Sequence, residues 1–326
     1  MKNIKRIVAL TLVLALMAGA CLAFTSCSDK KYTIGILQLV PHDALDAATQ
    51  GFKDAVIAGL GEENVTFLFQ DAGNDIPLCT TIANDFVSKN VDLIMANATP
   101  ALQAAASATA DIPVLGTSVT EYGVALGIKD FDGLVGGNIS GTSDLAPLDE
   151  QAQMILDLCP DAEKIGLLYC SAEANSKYQV DEVKRILIEK GVKEANISMH
   201  AFTDSNDVSA VTTVAAENCD AIYVPTDNTV AANTEIINDI CLPKKVPIIA
   251  GESGICGGCG IATLSISYYD LGYATGEMAV KILKGEEKIS RMPIAYVSKE
   301  KATKKYNPTN CDALGITIPE GYAPLG

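Results

Sequence analysis

Residues 32–60, YTIGILQLVPHDALDAATQGFKDAVIAGL, hold the repeating unit of the chain. Residues 32–39 are an unbroken apolar, β-branched run, the pattern of a strand covered on both faces. A turn follows, Val40-Pro41-His42. Over 43–60 the apolar residues Ala44, Ala47, Ala48, Phe52, Ala55, Val56 and Leu60 recur at helical spacing. Strand, polar turn and helix in that order predict parallel strands with helices packed on the sheet.

The unit repeats along the chain. Strands are predicted over 65–69, 91–96, 114–117 and 134–139, with helices over 75–88 and 100–108. Pro77, two residues after Asp75, suits the first turn of the second helix. The second half follows the same scheme, with strands over 164–169, 197–202, 221–224, 246–250 and 261–265. Its helices are predicted over 149–158, 175–190, 208–217, 229–240 and 268–283. Residues 294–298 and 311–316 form a less regular tail. The fold class is α/β, as two doubly wound parallel-sheet lobes.

In open α/β sheets ligands bind beyond the carboxyl ends of the strands. That rule selects Gln38 with the turn to His42, Asn97 to Pro100, Thr117 to Thr120, and Ser140 to Asp144. In the second half it selects Ser171 to Ser176, Pro225 to Thr229, and Gly251 to Ser253. Hydroxyls and amides dominate these loops, and each also reads as an ordinary helix N-cap. Convergence of seven such loops on one crevice favours a ligand. Hydroxyls and free N–H groups suit a carboxylate. Asp227 suits an ammonium, held by a charge-assisted hydrogen bond, although Thr226-Asp227-Asn228 can equally start the helix that follows. Together the loops fit an amino acid.

The first 27 residues address the chain for export. Lys2, Lys5 and Arg6 precede an uncharged apolar run over 7–24, and Thr25-Ser26-Cys27 leads into a polar tether. A basic start, an apolar stretch and small residues before a cut describe a signal peptide, with a membrane anchor as the alternative. Cys27 matches the lipidated Cys of a bacterial lipobox; Cys21, after Ala18-Gly19-Ala20, is the rival position. Removing residues 1–26 leaves 300 residues, enough for two domains. The whole chain carries a net charge of −16, and losing the three leader cations brings the remainder to −19. No basic face is available for phosphate, which argues against nucleic-acid binding. With 48% hydrophobic residues and a mean hydropathy of +0.23, the chain is globular.

Beyond Cys21 and Cys27 the cysteines are Cys79, Cys159, Cys170, Cys219, Cys241, Cys256, Cys259 and Cys311. An exported chain permits disulfides, and buried thiols are equally compatible. The pair in Cys256-Gly257-Gly258-Cys259 falls between two predicted strands and does not open a helix, as a redox motif would. A local disulfide or structural thiols are the ordinary readings, ahead of metal or redox chemistry. Gly251-Glu252-Ser253-Gly254-Ile255 fails the nucleophile-elbow pattern, and no phosphate-binding glycine loop occurs. With His42 and His200 the only histidines, a hydrolase triad has little to draw on. No enzymatic activity, cofactor or metal is expected.

Several segments, in order, resemble the solute-binding lipoproteins of tryptophan/tyrosine-type ABC uptake systems. They are Gln38 to Phe52 (QLVPHDALDAATQGF), Ala98-Thr99-Pro100 with Gln103-Ala104-Ala105, and Asn138 to Asp144 (NISGTSD). Glu173 to Ser176, Val224 to Val230 (VPTDNTV) and Ser267 to Gly272 (SYYDLG) continue the match over residues 32–290. The resemblance implies a periplasmic-binding-protein type I-like fold with three hinge crossings that closes on its ligand. It places a leader at 1–26, a tether at 27–31, a first lobe at 32–145 plus about 266–290, and a second at 146–265 plus about 291–326.

It further implies a lipid-anchored, monomeric, extracytoplasmic protein that hands a small ligand, by family default an aromatic L-amino acid, to a permease driven by a separate ATPase. A ligand sensor of the same fold, or an importer component for a nucleoside or peptide, are the alternatives. Motif positions direct Thr99, Ser118, Thr120 and Asn175 to the ligand's carboxylate and Asp227 to its ammonium. Gln38 and Glu252 join them as candidates, with His42, Leu45, Tyr122 and Tyr268 toward the side chain. His42 reads equally as a solvated loop residue. Glu121-Tyr122-Gly123 and the Gly- and Cys-rich stretch from Glu252 to Cys259 depart from the family pattern.

Overall fold

Strands β3 (Leu93–Asn97) and β4 (Val114–Val119) are buried at every residue, because helices cover both faces of their sheet. The computed structural model describes residues 30–296 and 302–325. The leader, Cys21, Cys27 and the start of the tether lie outside the described residues, and no described helix is long and apolar enough to cross a membrane.

The first sheet adds β1 (Tyr32–Gln38), β2 (Val65–Asp71), β5 (Ile139–Ser143) and β11 (Ala295–Tyr296), in the order β11-β5-β4-β3-β1-β2. Its helices are α1 (Asp43–Leu60), α2 (Ile76–Ser88), α3 (Thr99–Ala108) and the short α4 (Tyr122–Leu126). The chain then enters the second lobe through α5 (Leu148–Leu158), β6 (Ile165–Cys170), α6 (Ala174–Glu189), β7 (Ile197–Phe202) and α7 (Val208–Asn218). There follow β8 (Ala221–Val224), α8 (Asn228–Ala231), α9 (Thr234–Cys241), β9 (Ile248–Ala250), α10 (Ser253–Cys259) and β10 (Ala262–Ser265). Next, α11 (Tyr268–Leu283) returns to the first lobe and packs along α1. Finally β12 (Thr303–Tyr306), α12 (Pro308–Leu314) and β13 (Ala323–Pro324) complete the second sheet, ordered β13-β12-β10-β9-β8-β6-β7. All pairings are parallel except β10 with β12.

Strand order reverses between β1 and β3 in one sheet and between β6 and β8 in the other. Those switch points leave a crevice at the strand ends, and here the two crevices face each other. Hydrogen bonds cross between the lobes: His42 Nε2 lies 3.3 Å from Asn228 Oδ1, and Asn74 Nδ2 donates to Thr229 Oγ1 at 3.1 Å.

The departures from the sequence pattern have local causes. The strand expected over 134–139 lies later, at Ile139–Ser143, because Gly136 and Gly137 adopt positive φ of 77° and 58° and turn the chain first. Its interior hydroxyls are satisfied inside the lobe, Thr142 Oγ1 with Thr275 Oγ1 at 2.8 Å and Ser140 Oγ donating to Met292 O at 2.9 Å. The helix expected over 229–240 is two, broken at Asn233, whose Nδ2 donates to Thr229 O at 2.7 Å. The Cys256–Cys259 pair falls between two strands, β9 and β10, as expected, but on a short helix, α10, capped by the Glu252 carboxylate, where no helix was expected. All eight described cysteines are free thiols.

The tail is divided. Ala295 and Tyr296 pair with Thr142 and Ser143 of the first sheet, so residues 291–296, expected with the second lobe, belong with the first. Residues 311–316 are largely helix, begun by the Asn307 cap and ended at Gly315, φ 70°. The end of the stretch 294–298 lies outside the described residues.

Candidate functional site

Polar strand ends from both lobes enclose one small cavity. His42, Leu45, Ser118, Asp144 and Tyr268 form its first-lobe wall. Asn175, Thr226, Asp227, Asn228, Ala231 and Glu252 form the other. Three carboxyls face this space and no Lys or Arg does.

Each acid has its own support. The Asp227 Oδ1 accepts from Val230 N at 2.9 Å, capping α8, and its Oδ2 accepts from Cys170 N at 2.6 Å. Burial, with Glu173 beside it, pushes the Asp227 carboxyl up from its ordinary value. Glu252 accepts from Gly254 N and Ile255 N at the start of α10, and burial raises it too, with His42 pulling the other way. Glu173, behind the wall, accepts from the backbone and side chains of Asn228 and Thr229.

Asp144 differs from these. Its Oδ2 accepts from Tyr268 Oη at 2.9 Å, while its buried Oδ1 has no partner in the chain. Burial pushes this carboxyl up to about 6, offset in part by the Thr120 and Tyr268 hydroxyls.

Other polar atoms are left similarly unmatched. Asn175 Nδ2 donates to Thr226 O at 3.0 Å, which fixes the amide orientation and leaves its Oδ1 buried and unpaired. The Ser118 hydroxyl, on the cavity wall, and the Thr99 hydroxyl, at the start of α3, are also buried without partners. Nine buried side-chain polar atoms among the described residues have no partner, and the four at these strand ends form a grouping that suits a polar guest. Two of the six positive-φ non-glycine residues among the described residues lie here. Ser118 has φ 54° and Ala98, before α3, has φ 92°, both in regions that favour glycine.

The geometry brings Ser118, Asn175, Asp227, His42, Glu252 and Tyr268 together on the cavity wall. Leu45 joins them, whereas Gln38, Thr99, Thr120 and Tyr122 do not line the cavity. Gln38 is wholly buried beneath the loop, donating to Val40 O and Asp46 Oδ1 and accepting from Thr49 Oγ1. It braces the turn that carries His42. Thr120 turns toward Asp144, and its carbonyl accepts from Ser143 Oγ at 2.7 Å. Tyr122 is a core residue whose hydroxyl donates to Thr142 O at 3.1 Å. Asn175 presents an oxygen to the cavity rather than the donor a carboxylate needs. Asp144, Thr226 and Asn228 also line the cavity. They fall within the selected loops and matching segments but were not singled out: Asp144 directly follows β5, Thr226 lies in the loop after β8, and Asn228 opens α8.

Comparisons with known proteins agree with this geometry. The family model for ABC transporter substrate binding proteins matches residues 33–323. The tyrosine-binding protein of Clostridioides difficile (strain R20291) is 38% identical over 268 residues, covering 79% of this chain and 74% of its own. A Streptococcus pneumoniae ABC domain solved in complex with L-Trp is 34% identical, with a TM-score of 0.84 over 90% of this chain and 100% of that one. The ligand-free, open structure of a Clostridium difficile substrate-binding protein with adhesive properties is 40% identical, with a TM-score of 0.67 over 90% of this chain and 99% of that one. Two facing parallel-sheet lobes, a polar cavity between them and a family match over nearly the whole described chain have one meaning: this protein belongs to the ABC transporter substrate-binding protein family, with a periplasmic-binding-protein type I-like fold.

Proposed function

We propose that this protein captures a free aromatic L-amino acid, tyrosine or tryptophan in type, between its lobes and presents it to an ABC permease and its ATPase. The observation that carries the reading is the set of unpaired buried atoms at the cleft. Asp144 Oδ1 and Asn175 Oδ1 are acceptors suited to an ammonium, and the Ser118 and Thr99 hydroxyls are donors suited to a carboxylate. Asp227 and Glu252 add negative potential on the ammonium side. Two relatives named for tyrosine and solved with L-Trp support the aromatic class. The site residues act by binding alone, and no covalent step is assigned to them.

The protein is exported through its leader and held at the outer face of the membrane by a lipid on Cys27. Cys27→Ser would release it from the membrane fraction; retention of that variant would remove the anchor.

A thermal-shift and calorimetry panel tests the ligand. Saturation at about 100 times Kd adds about 2.7 kcal/mol to the folded state. L-Tyrosine and L-tryptophan should raise the melting temperature, while nucleosides and sugars should not. A panel in which no aromatic amino acid binds would overturn the reading.

A further inference from the structure

The inner cavity is not the only space in the cleft. It offers about 10 Å³, room for about one water. Directly outside it lies a trough of about 810 Å³. His42, Ala231, Glu252 and Tyr268 line both, so the two spaces adjoin. The walls of the trough come from both lobes and mix small residues with His42, Tyr268, Tyr269, Lys305 and Leu325. Ala44 and Ala47 on α1 face Ala231 on α8 and Gly254 and Gly257 on α10, and Tyr269 lies toward the outer end.

We infer that this trough receives the far end of the ligand's side chain, so that the protein accepts aromatic amino acids extended at the para position of the ring. The inference rests on the head-group reading of the inner cavity. The unpaired atoms near the inner cavity match an ammonium and a carboxylate, which leaves the side chain as the part still to be housed. With room for about one water, the inner cavity cannot hold a ring, and the trough has volume to spare. A ring leaving the inner cavity passes Tyr268, whose face supplies an aromatic contact, and reaches the trough, where Ala44, Ala47, Gly254 and Gly257 leave room among the larger side chains. Groups added to the ring's far end therefore extend into space already present, whereas groups added to the α-nitrogen or the carboxylate collide with closed walls.

Gly257 allows a direct test. A Cβ built on it meets no heavy atom within 4 Å, so a side chain can start there without striking the fold, on a residue that lines the trough. Replacing a helical glycine also favours the helix. Calorimetry would compare L-tyrosine, O-benzyl-L-tyrosine and N-acetyl-L-tyrosine on the wild-type protein, Gly257→Phe and Ala47→Phe, the last plugging the same trough from the opposite lobe.

The wild-type protein should bind O-benzyl-L-tyrosine within about tenfold of tyrosine and lose N-acetyl-L-tyrosine, and each plug should weaken the benzyl ether at least about tenfold more than tyrosine. Tyrosine binding with rejection of the benzyl ether would overturn the trough while sparing the head-group reading. So would a benzyl ether that binds both folded variants as well as it binds the wild type. Failure of every aromatic amino acid on the wild-type protein would instead sink the head-group reading, and the trough with it.

Discussion

Ser118 and Thr99 are expected to behave against the usual sign of a binding-site mutation. A buried hydroxyl without a partner costs folding free energy, about 1–3 kcal/mol where desolvation is complete. Ser118→Ala and Thr99→Val should therefore leave the ligand-free protein as stable or more stable, while weakening amino-acid affinity about fivefold or more. Denaturant melts and calorimetry on the same variants decide this; a loss of stability with unchanged affinity would assign both hydroxyls to the fold.

Asp144 adds a pH dependence. Its carboxyl sits near 6 in the folded protein, above its ordinary value of 3.8, so the folded state holds the proton more tightly than the unfolded one. The stability it contributes is complete below 3.8 and is lost as pH rises through about 6. An ammonium favours the ionised form, so affinity should fall as pH drops below about 6. Asp144→Asn should flatten that profile, weaken binding about tenfold above roughly pH 7 and stabilise the ligand-free protein there. An unaltered profile would remove Asp144 from the ammonium. The sequence reads Asp227 as an ammonium partner, yet both its oxygens tie α8 and β6 together. Asp227→Ala should thus cost stability as well as affinity. Sequence marks an acid at a strand end but not which of its oxygens remain free, because that depends on backbone donors brought in from other strands.

At the scale of elements, the regular apolar ones were legible and the polar or glycine-rich ones were not. α1, β7, β8 and α11 lie where their periodicity puts them, because one buried face fixes both type and length. β5, with its sequence ISGTS, carries its burial on hydroxyls paired within the lobe, so no apolar run announces it. α10 has three glycines within it and forms because Glu252 caps its first turn and Ile255, Cys256 and Cys259 are buried. β12 pairs antiparallel with β10 and joins a sheet edge through backbone bonds that a side-chain pattern does not encode.

The α1–α11 contact gives the element-scale test. A Cβ on Gly272 would overlap the Ala48 carbonyl, and one on Gly51 the Tyr269 carbonyl, so the two helices touch backbone to backbone. Gly272→Ala should force them apart at a cost of about 1–3 kcal/mol or more. Thermal unfolding should show the loss, and an unchanged midpoint would mean the helices have slack. Because α11 begins at Tyr268 on the cavity wall, the close packing also sets how far that ring reaches toward Asp144.

Across the whole molecule the lobes stand closed. The bonds between His42 and Asn228 and between Asn74 and Thr229 join them, and the fold superposes better on the L-Trp complex than on the open relative of higher identity. Two parallel-sheet lobes were legible because strand–helix alternation is carried by every segment. The angle between them was not, because it rests on a few polar contacts that no periodicity records. A guest held by both walls favours this closed form over an open one, and it can do so only by its difference in affinity for the two. Asn74 isolates that balance. It lies outside the inner cavity, and its φ of 65° suits glycine, so Asn74→Gly removes the bond to Thr229 without straining the backbone. Tyrosine should then bind a few-fold more weakly through faster release, since the closed state has lost one neutral hydrogen bond of about 0.5–1.5 kcal/mol. Small-angle scattering should show the radius of gyration of the wild-type protein decreasing on addition of tyrosine, and Asn74→Gly should need more tyrosine to reach the same value. Equal titration curves for the two proteins would mean that closure is governed by the cavity walls alone.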